Sequence, residues 1–210
     1  FSDIIWNGTS DTEVLVNCLE YWGYEKTLDK IVGMFAFCLY DSKERTILLA
    51  KDKFGEKPLY YGYNNQKFYF ASELKSLIKD PNFNKEIDKQ SLNIFFSLNY
   101  IPAPKSIYKN IFKLKPGHYF KLKLDENFEI NPSQQKKYWD IKGLKSENNI
   151  TSLSFEESKK ELKKIIYGSV EEQLVSDVDI GAFLSSGIDS SLIVSTMSKI
   201  SKKKVNTFTL

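Results

Sequence analysis

The sequence contains few of the residues that build covalent or metal-bound frameworks. Among 210 residues there are two cysteines, Cys18 and Cys38, and one histidine, His118. Two cysteines without a C-x-x-C spacing argue against a disulfide framework and against a cysteine-rich zinc site. A single histidine excludes a histidine-clustered metal site. We interpret both thiols as inert members of apolar segments, and His118, beside Pro116-Gly117, as a turn residue.

Long apolar runs and a strong charge of one sign are also missing. No run approaches the 18 apolar residues of a membrane span, and 30 basic against 27 acidic side chains leave a net charge of +3. So small a surplus does not indicate a polyanionic partner, and Lys202-Lys203-Lys204 lacks interleaved aromatic residues. With 41% hydrophobic residues the chain can bury a core. We therefore expect a reduced, cytoplasmic protein that binds neither a membrane nor a nucleic acid.

Hydrophobic spacing divides the chain into two regions, and the first is built mainly from strands. Ser10 followed by Glu13 predicts a capping box and a helix start, and Gly23 a helix end. Two hairpins are predicted where apolar runs flank polar turns, at 34–50 and 58–71. Their nearly continuous apolar strands indicate sheets covered on both faces. The other elements predicted for this region are helices at 72–79 and 88–98 and strands between 106 and 130.

The second region has the pattern of a parallel α/β sheet. It follows a polar stretch at 131–151 that indicates a linker. Ser154 with Glu157 predicts a second capping box ahead of an amphipathic helix, in which Glu156 and Lys160 can pair four residues apart. The elements predicted next are a buried strand at 180–184, a polar loop, a helix from about 190 to 199, and a parallel strand at 205–210. This order of elements is typical of an open α/β sheet.

The polar loop 185–191 carries the clearest chemical pattern. It joins a strand to a helix N-terminus, where free N–H groups and the helix dipole favour an anion. Gly187 lets the backbone approach an anion closely, and hydroxyl donors are supplied by Ser185, Ser190 and Ser191. Asp189 can only accept hydrogen bonds, so it fits a ligand to the Mg²⁺ that accompanies a polyphosphate. That Asp189 or Ser190 simply caps the last helix stays open at this point.

The loop is not a P-loop, because no G-x-x-x-x-G-K-[ST] pattern occurs in the chain. It resembles instead the S-G-G-x-D-S pyrophosphate loop of ATP pyrophosphatases, which split ATP between the α and β phosphates. Four further segments resemble the glutamine-hydrolysing asparagine synthetase family: Ser10-Asp11-Thr12-Glu13, residues 33–37, residues 49–61 and Phe70-Ala71-Ser72-Glu73. Taken together, the segments extend this resemblance over nearly the whole chain.

The resemblance implies a fold class and a division into domains. Residues 1–130 would be the C-terminal part of an α+β glutamine amidotransferase domain, of the N-terminal-nucleophile hydrolase type with sandwiched antiparallel sheets. Residues 131–151 would be the linker. Residues 152–210 would begin an α/β ATP-pyrophosphatase domain of the adenine nucleotide α-hydrolase type.

The resemblance also implies ligands and residue roles. Asp11 matches the aspartate that holds the amino group of glutamine in this family, although an acid in a first helical turn also stabilises the helix dipole by about 0.3–1 kcal/mol. The ATP and pyrophosphate site would comprise Leu184, Ser185, Ser186, Gly187, Asp189, Ser190 and Ser191. Asp189 would bind the Mg²⁺. We interpret residues 51–61 as architectural, with Gly55 and Pro58 shaping a turn.

Two features depart from the family pattern. The family nucleophile is an N-terminal cysteine, and neither Cys18 nor Cys38 has that position. We therefore expect a fragment, inactive alone, with the nucleophile and the acceptor-binding segments outside it. Ser186 stands where the family loop usually has its first glycine. If that position requires a left-handed backbone, serine costs about 1–2 kcal/mol, which weakens nucleotide binding roughly tenfold.

The activity implied for the complete protein joins two reactions. Glutamine is hydrolysed, and the ammonia amidates the β-carboxylate of aspartate after MgATP has activated it as an acyl-adenylate, giving asparagine, AMP and pyrophosphate. The same chemistry on another carboxylate, such as a cell-surface sugar or a β-lactam precursor, would share every motif. A non-catalytic fragment is a third alternative. The expected partners are small molecules, and a homodimer is left open.

Overall fold

The computed structural model describes residues 4–124, 132–141, 153–201 and 203–209. The chain divides into a first unit, Phe1–Lys145, and a second unit, Ser146–Leu210. Each unit has its own secondary structure and packing.

The first unit begins with helix α1, Asp11–Lys30, and the side chain of Ser10 caps its N-terminus. The predicted capping box of Ser10 and Glu13 does not form, because the Ser10 side chain accepts the N–H of Thr12 and not that of Glu13. The Glu13 carboxylate accepts the backbone N–H groups of Asn7 and Gly8, at 2.8 and 2.9 Å, instead of turning back to the cap residue. Glu13 therefore fixes the direction in which the chain enters the helix.

Gly23 interrupts α1 where the sequence predicts a helix end. Its φ of 74° and ψ of 168° are not helical, and a second helical stretch continues to Lys30. The hydroxyl of buried Thr27 lies 2.7 Å from the Gly23 carbonyl and 2.9 Å from the Cys18 carbonyl. The Thr27 hydroxyl thus links the second helical stretch to the end of the first and to the interruption itself.

In the described residues of the first unit, seven strands form two antiparallel sheets. Their bounds are β1 Ala36–Asp41, β2 Thr46–Lys51, β3 Tyr60–Asn64, β4 Lys67–Ala71, β5 Ile111–Lys113, β6 His118–Lys123 and β7 Lys136–Lys137. The first sheet has the order β1-β2-β6-β7 and the second the order β4-β3-β5. Helices α2, Leu74–Leu77, and α3, Lys89–Leu98, lie between β4 and β5 in the chain.

Both predicted hairpins are confirmed, and their turns follow from local chemistry. The Asp41 carboxylate accepts the N–H groups of Lys43 and Glu44 in the first turn, at 2.9 and 3.0 Å. In the second turn Asn65 and Gln66 both have positive φ. Two residues with positive φ are typical of the type I′ turn, whose twist matches that of paired strands.

Three buried clusters cover the two sheets on both faces, as predicted. One lies between the sheets and includes Leu49, Tyr61 and Phe120. A second packs the outer face of the first sheet on α1 through Leu28. The third packs the outer face of the second sheet on α2 through Leu77. The predicted α+β class of this unit is therefore confirmed.

Strand β3 passes unusually close to the turn before β5. A Cβ atom on Gly62 would lie 2.0 Å from the Asn110 carbonyl oxygen. That oxygen accepts the Tyr63 N–H at 3.2 Å, and Gly62 is the register partner of Ile111. Only a glycine leaves room for this pairing.

Residues 132–141, which we call the strap, pack onto the first unit although the sequence places them in a linker. Strand β7 of the strap pairs with β6. The buried Gln135 side chain accepts the Lys115 N–H at 3.0 Å and donates to the Tyr61 hydroxyl at 2.8 Å and to the Lys113 carbonyl at 3.1 Å. These contacts correct the predicted linker. Its residues 131 and 142–151 lie outside the described residues, and the domain limits stay a prediction.

The second unit has the predicted helix–strand–helix–strand order. Its elements are α4 Phe155–Gln173, β8 Gly181–Phe183, α5 Ile188–Ile200 and β9 Asn206–Phe208. The capping box of Ser154 and Glu157 is complete, and β8 pairs with β9 in parallel. Glu156 contacts Lys159 at 3.5 Å, one residue earlier in the helix than the predicted partner. The start of an α/β domain is confirmed.

The predicted burial of β8 is wrong. Phe183 is 78% exposed, because the sheet has two strands within the described part of this unit. Helices α4 and α5 pack together, and the buried residues of the two helices are Val170, Thr196 and Met197.

Candidate functional site

The first unit contains a cavity of about 550 Å³ beside the N-terminus of α1. Its walls are the first turn of α1, the segment 31–37 that leads into β1, and the turn before β3. Most of the lining is apolar, and its described charged side chains are Asp11 and Lys57. An apolar lining with one acidic and one basic residue is of the kind that can hold a small polar molecule.

Asp11 is the first residue of α1, and its exposed carboxylate lines the cavity. The Thr12 hydroxyl lies 3.4 Å from this carboxylate and the Ser10 hydroxyl 3.5 Å. Both contacts leave acceptor capacity for a ligand. The role of Asp11 in binding the glutamine amino group stays a prediction, and its place in the cavity wall is compatible with that role.

A buried carboxylate behind the cavity wall was missed at the level of sequence. Asp52 is 1% exposed, and its carboxylate accepts the N–H groups of Phe54, Glu56 and Lys57 at 3.2, 2.9 and 3.0 Å. An aspartate that accepts N–H groups shortly after it in the chain is typical of a turn. The spacing D-x-x-G at 52–55 could have indicated this role.

Gly55 shapes the same turn, as the sequence predicts. Its φ is 73°, and a Cβ atom would lie 2.7 Å from Cγ of Pro116. Both the left-handed backbone and the lack of space require glycine.

The predicted nucleotide loop, 185–191, lies in the second unit: residues 185–187 lie between β8 and α5, whereas residues 188–191 form the first turn of α5. Gly187 is the N-cap residue of α5, and no side chain caps this helix. The alternative that Asp189 or Ser190 caps it is therefore wrong. Asp189 lies in the first turn of α5 and is exposed. The positive end of the helix is thus available to an anion.

Serine hydroxyls bond to one another and to backbone within this loop. The Ser185 and Ser190 hydroxyl oxygens are 2.9 Å apart, and the Gly187 N–H donates to the Ser185 oxygen at 3.2 Å. The Ser190 and Ser191 hydroxyls donate to the Gly187 carbonyl at 3.1 and 2.9 Å. A phosphate bound here would exchange these internal bonds for its own.

Leu184 and Ser186 have different surroundings. Leu184 joins the loop to β9, since its N–H donates to the Phe208 carbonyl at 2.8 Å and its carbonyl accepts the Thr209 hydroxyl at 2.8 Å. Ser186 is exposed and is not among the residues with a left-handed backbone. The expected penalty for serine at this position therefore does not arise.

Magnesium would depend on few protein ligands in this unit. In the described residues no group of three histidine, cysteine or acidic side chains could hold a metal. Mg²⁺ bound to a polyphosphate commonly uses one or two carboxylates, so an exposed Asp189 beside an uncapped helix fits this mode.

A second cavity, of about 350 Å³, is lined by Val178, Ile180 and Asn206 among others and by no residue of the loop.

The single histidine and the two cysteines lie outside both candidate sites. His118 is the first residue of β6 and not the turn residue that the sequence predicts. Its Nδ1 lies 2.7 Å from the Pro116 carbonyl, and burial lowers the pKa of its imidazole. Cys18 and Cys38 are both free, and burial raises the pKa of Cys38. A thiol with a raised pKa is a poor nucleophile.

Among the helices that the structure describes, none is long and apolar enough to cross a membrane.

Together these features define a two-domain class of protein. An antiparallel α+β unit with a small, mostly apolar cavity comes first, and a parallel α/β unit with a loop of the anion-binding type follows. A family model described as a glutamine amidotransferase domain matches residues 2–139. One described as asparagine synthase matches residues 161–210.

Curated relatives support the same assignment. The chain is 38% identical over 192 residues to asparagine synthetase (glutamine-hydrolyzing) 1 of Bacillus subtilis, and the aligned part is 90% of this chain and 28% of that protein. It is 32% identical over 186 residues to asparagine synthetase (glutamine-hydrolyzing) 3 of the same organism, and that aligned part is 88% of this chain and 28% of the relative. A 27% identical relative over 207 residues, covering 93% and 28%, is amidase chry2 of Gibberella zeae. The chain thus spans 28% of the length of these three relatives.

The chain belongs to the glutamine amidotransferase domain family, joined, as in the glutamine-hydrolysing asparagine synthetases, to the beginning of an asparagine synthase domain.

Proposed function

We propose that the complete protein is an ATP-dependent amidoligase that takes ammonia from glutamine and converts aspartate to asparagine. The observation that carries this proposal is the order of two family matches along one chain, 2–139 and 161–210. The first coincides with the unit that holds the cavity, and the second with the unit that holds the loop. We also propose that it acts in the cytoplasm on small molecules, without a membrane or nucleic-acid partner. A homodimer stays open.

Glutamine would bind in the cavity of the first unit. In this proposal Asp11 accepts the α-amino group, because an ionised carboxylate forms a strong, charge-assisted hydrogen bond with an ammonium group. The apolar residues at 31–37 would contact the rest of the substrate. The nucleophile would be the N-terminal cysteine that the family resemblance implies, which is neither of the two cysteines in this chain.

Activation of the acceptor carboxylate would take place at the loop of the second unit. ATP supplies AMP as a leaving group, which a carboxylate oxygen lacks, and pyrophosphate departs. The free N–H groups at the start of α5 would hold the charge of the pyrophosphate on fixed dipoles. Asp189 would hold the Mg²⁺. Ammonia would then attack the acyl-adenylate and form the amide.

A second candidate function uses the same machinery on another carboxylate. A relative that is not named asparagine synthetase, amidase chry2, also matches 93% of the chain, which keeps this alternative open. Identity to the two Bacillus subtilis proteins named asparagine synthetase is higher, at 38% and 32% against 27%. We therefore place aspartate first as the acceptor.

Pyrophosphate release by the full-length protein tests the proposal. With ammonia, MgATP and aspartate we expect release, and an Asp189→Asn variant should lose at least about tenfold of the rate. Asp177→Asn, another exposed aspartate of the second unit, is the matched control and should leave the rate unchanged. Release that needs a carboxylate other than aspartate would favour the second candidate. No release with any carboxylate would defeat the ligase assignment.

Glutamine hydrolysis is measured separately. Asp11→Asn should raise the KM for glutamine at least about tenfold, because the amide no longer neutralises the ammonium group. The ammonia-dependent rate should stay the same. An unchanged KM would remove Asp11 from the glutamine site.

A further inference from the structure

Asp52 is the one fully buried acidic side chain among the described residues. It does not line the cavity, yet its neighbours do. A buried carboxylate is tolerated only where hydrogen bonds satisfy it, and Asp52 has three from backbone N–H groups. The segments that these hydrogen bonds connect therefore indicate the structural role of the Asp52 carboxylate.

The hydrogen bonds of Asp52 join two separate segments of the cavity wall. Its carboxylate accepts the N–H of Lys57 at 3.0 Å, and Lys57 and Pro58 form one side of the lining. Its own backbone N–H donates to the Phe35 carbonyl at 2.9 Å, and Phe35 belongs to another side of the lining. One residue thus fixes the position of both segments.

Further contacts hold Asp52 itself from behind. Its carbonyl accepts the Gly117 N–H at 2.8 Å. The Gly117 carbonyl in turn accepts the N–H groups of Tyr138 and Trp139 in the strap at 2.9 and 3.2 Å. The Tyr138 hydroxyl donates to the Lys51 carbonyl at 2.7 Å. The turn at Asp52 is therefore held between the cavity wall and the strap.

We propose that Asp52 is a positioning residue for glutamine hydrolysis: its buried carboxylate holds the Lys57 segment, its backbone N–H holds the Phe35 segment, and together they set the separation that fits the substrate. This inference rests on the proposed function of the cavity. Both carboxylate oxygens accept N–H groups, whereas an asparagine has one acceptor oxygen and one donor group. Asp52→Asn would therefore set a donor against a donor and let one segment of the turn move.

The test compares Asp52→Asn with Asp80→Asn in the full-length enzyme. Asp80 is a matched control in the same unit, because its carboxylate also accepts a backbone N–H, that of Asn82 at 2.8 Å, and the Tyr69 hydroxyl at 2.9 Å. It does not line the cavity. We expect both variants to melt at a lower temperature. Only Asp52→Asn should raise the KM for glutamine, at least tenfold, with the ammonia-dependent rate unchanged within about twofold.

A second variant covers the case in which Asp52→Asn does not fold. Gly55→Ala disturbs the same turn without altering the carboxylate, since its Cβ would meet Pro116, and should raise the glutamine KM in the same direction. A KM that is unchanged, or raised equally in Asp80→Asn, would overturn the positioning role. A wild-type enzyme without any glutamine hydrolysis would instead defeat the proposed function of the cavity.

Discussion

The two units of this chain use opposite means to shape their candidate sites. The described part of the first unit has three buried clusters, and its cavity is bounded by segments that this core holds in place. The described buried hydrophobic residues of the second unit are Val170 and Met197, and its loop is shaped by hydrogen bonds among serines and Gly187. The comparison teaches that a cavity needs a packed hydrophobic core to hold its walls in place. A helix N-terminus can present its backbone N–H groups without such a core.

The largest expected effect contrasts two phenylalanines. Phe120→Ala should lower the free energy of unfolding of the first unit by about 3–5 kcal/mol, because it opens a cavity in the core. Phe183→Ala in the exposed strand β8 should change stability by less than about 0.5 kcal/mol. Tryptophan emission in urea follows the first unit, since Trp6, Trp22 and Trp139 all lie in it. Helical circular dichroism in urea also follows the second unit, which contains α4 and α5. Equal shifts in the two variants would break the comparison.

The next effect is a loss of stability of the first unit in alkali. Burial raises the pKa of Tyr61 to about 12, whereas an unfolded tyrosine ionises near pH 10. The unfolded state therefore loses its proton first, and stability present below pH 10 falls by about 2–3 kcal/mol as the pH rises towards 12. The urea midpoint should drop over this interval. Tyr61→Phe should reduce that drop, although burial also raises the pKa of Tyr119 and Tyr138. An unaltered pH dependence would contradict the assignment to Tyr61.

A smaller effect tests whether the strap is part of the first unit. Gln135→Ala should cost about 1–3 kcal/mol, because the Lys115 N–H and the Lys113 carbonyl lose a buried partner. Lys137→Ala in the same segment removes an exposed ion pair with Asp140 and should cost less than about 1 kcal/mol. Both are measured as urea midpoints from tryptophan emission. A strap that behaves as a free linker would give no difference between the two variants.

The smallest effect concerns the start of α4. Ser154→Ala removes the complete capping box and should cost about 1 kcal/mol, seen as a loss of helical circular dichroism on mild heating. Ser158→Ala, one turn later on the same helix, makes a matched control and should leave the helix as stable or slightly more stable. Equal loss in both variants would mean that the cap does not determine the stability of α4.

Sequence patterns predicted the parts of this fold that depend on neighbours in the chain. The hairpin of β1 and β2 follows from apolar runs around the Asp41 turn, and the capping box of Ser154 from one helical turn. The parallel pairing of β8 and β9 follows from the α/β order. The strand–turn–helix order around 185–191 is predicted correctly from the succession of patterns, although the helix begins at Ile188, inside the predicted loop.

Other features depend on partners distant in sequence, and no local pattern reveals them. The strap has the polar composition of a linker, yet Gln135 finds its partners at Tyr61 and Lys113. A charged Asp52 gives no indication of burial until the turn closes around it. The exposure of β8 depends on how many strands accompany it. The left-handed backbone considered for Ser186 rests on the glycine that the family usually has at this position, and the folded loop does not require it.

The close passage of β3 and Asn110 limits how this protein can diverge. Because even a methyl group on residue 62 would collide with main-chain atoms of Asn110, no substitution elsewhere in side chains can make room. Variation among descendants should therefore leave Gly62 fixed while the side chains around it drift, and a saturation library at that codon should yield folded clones of the parental residue alone.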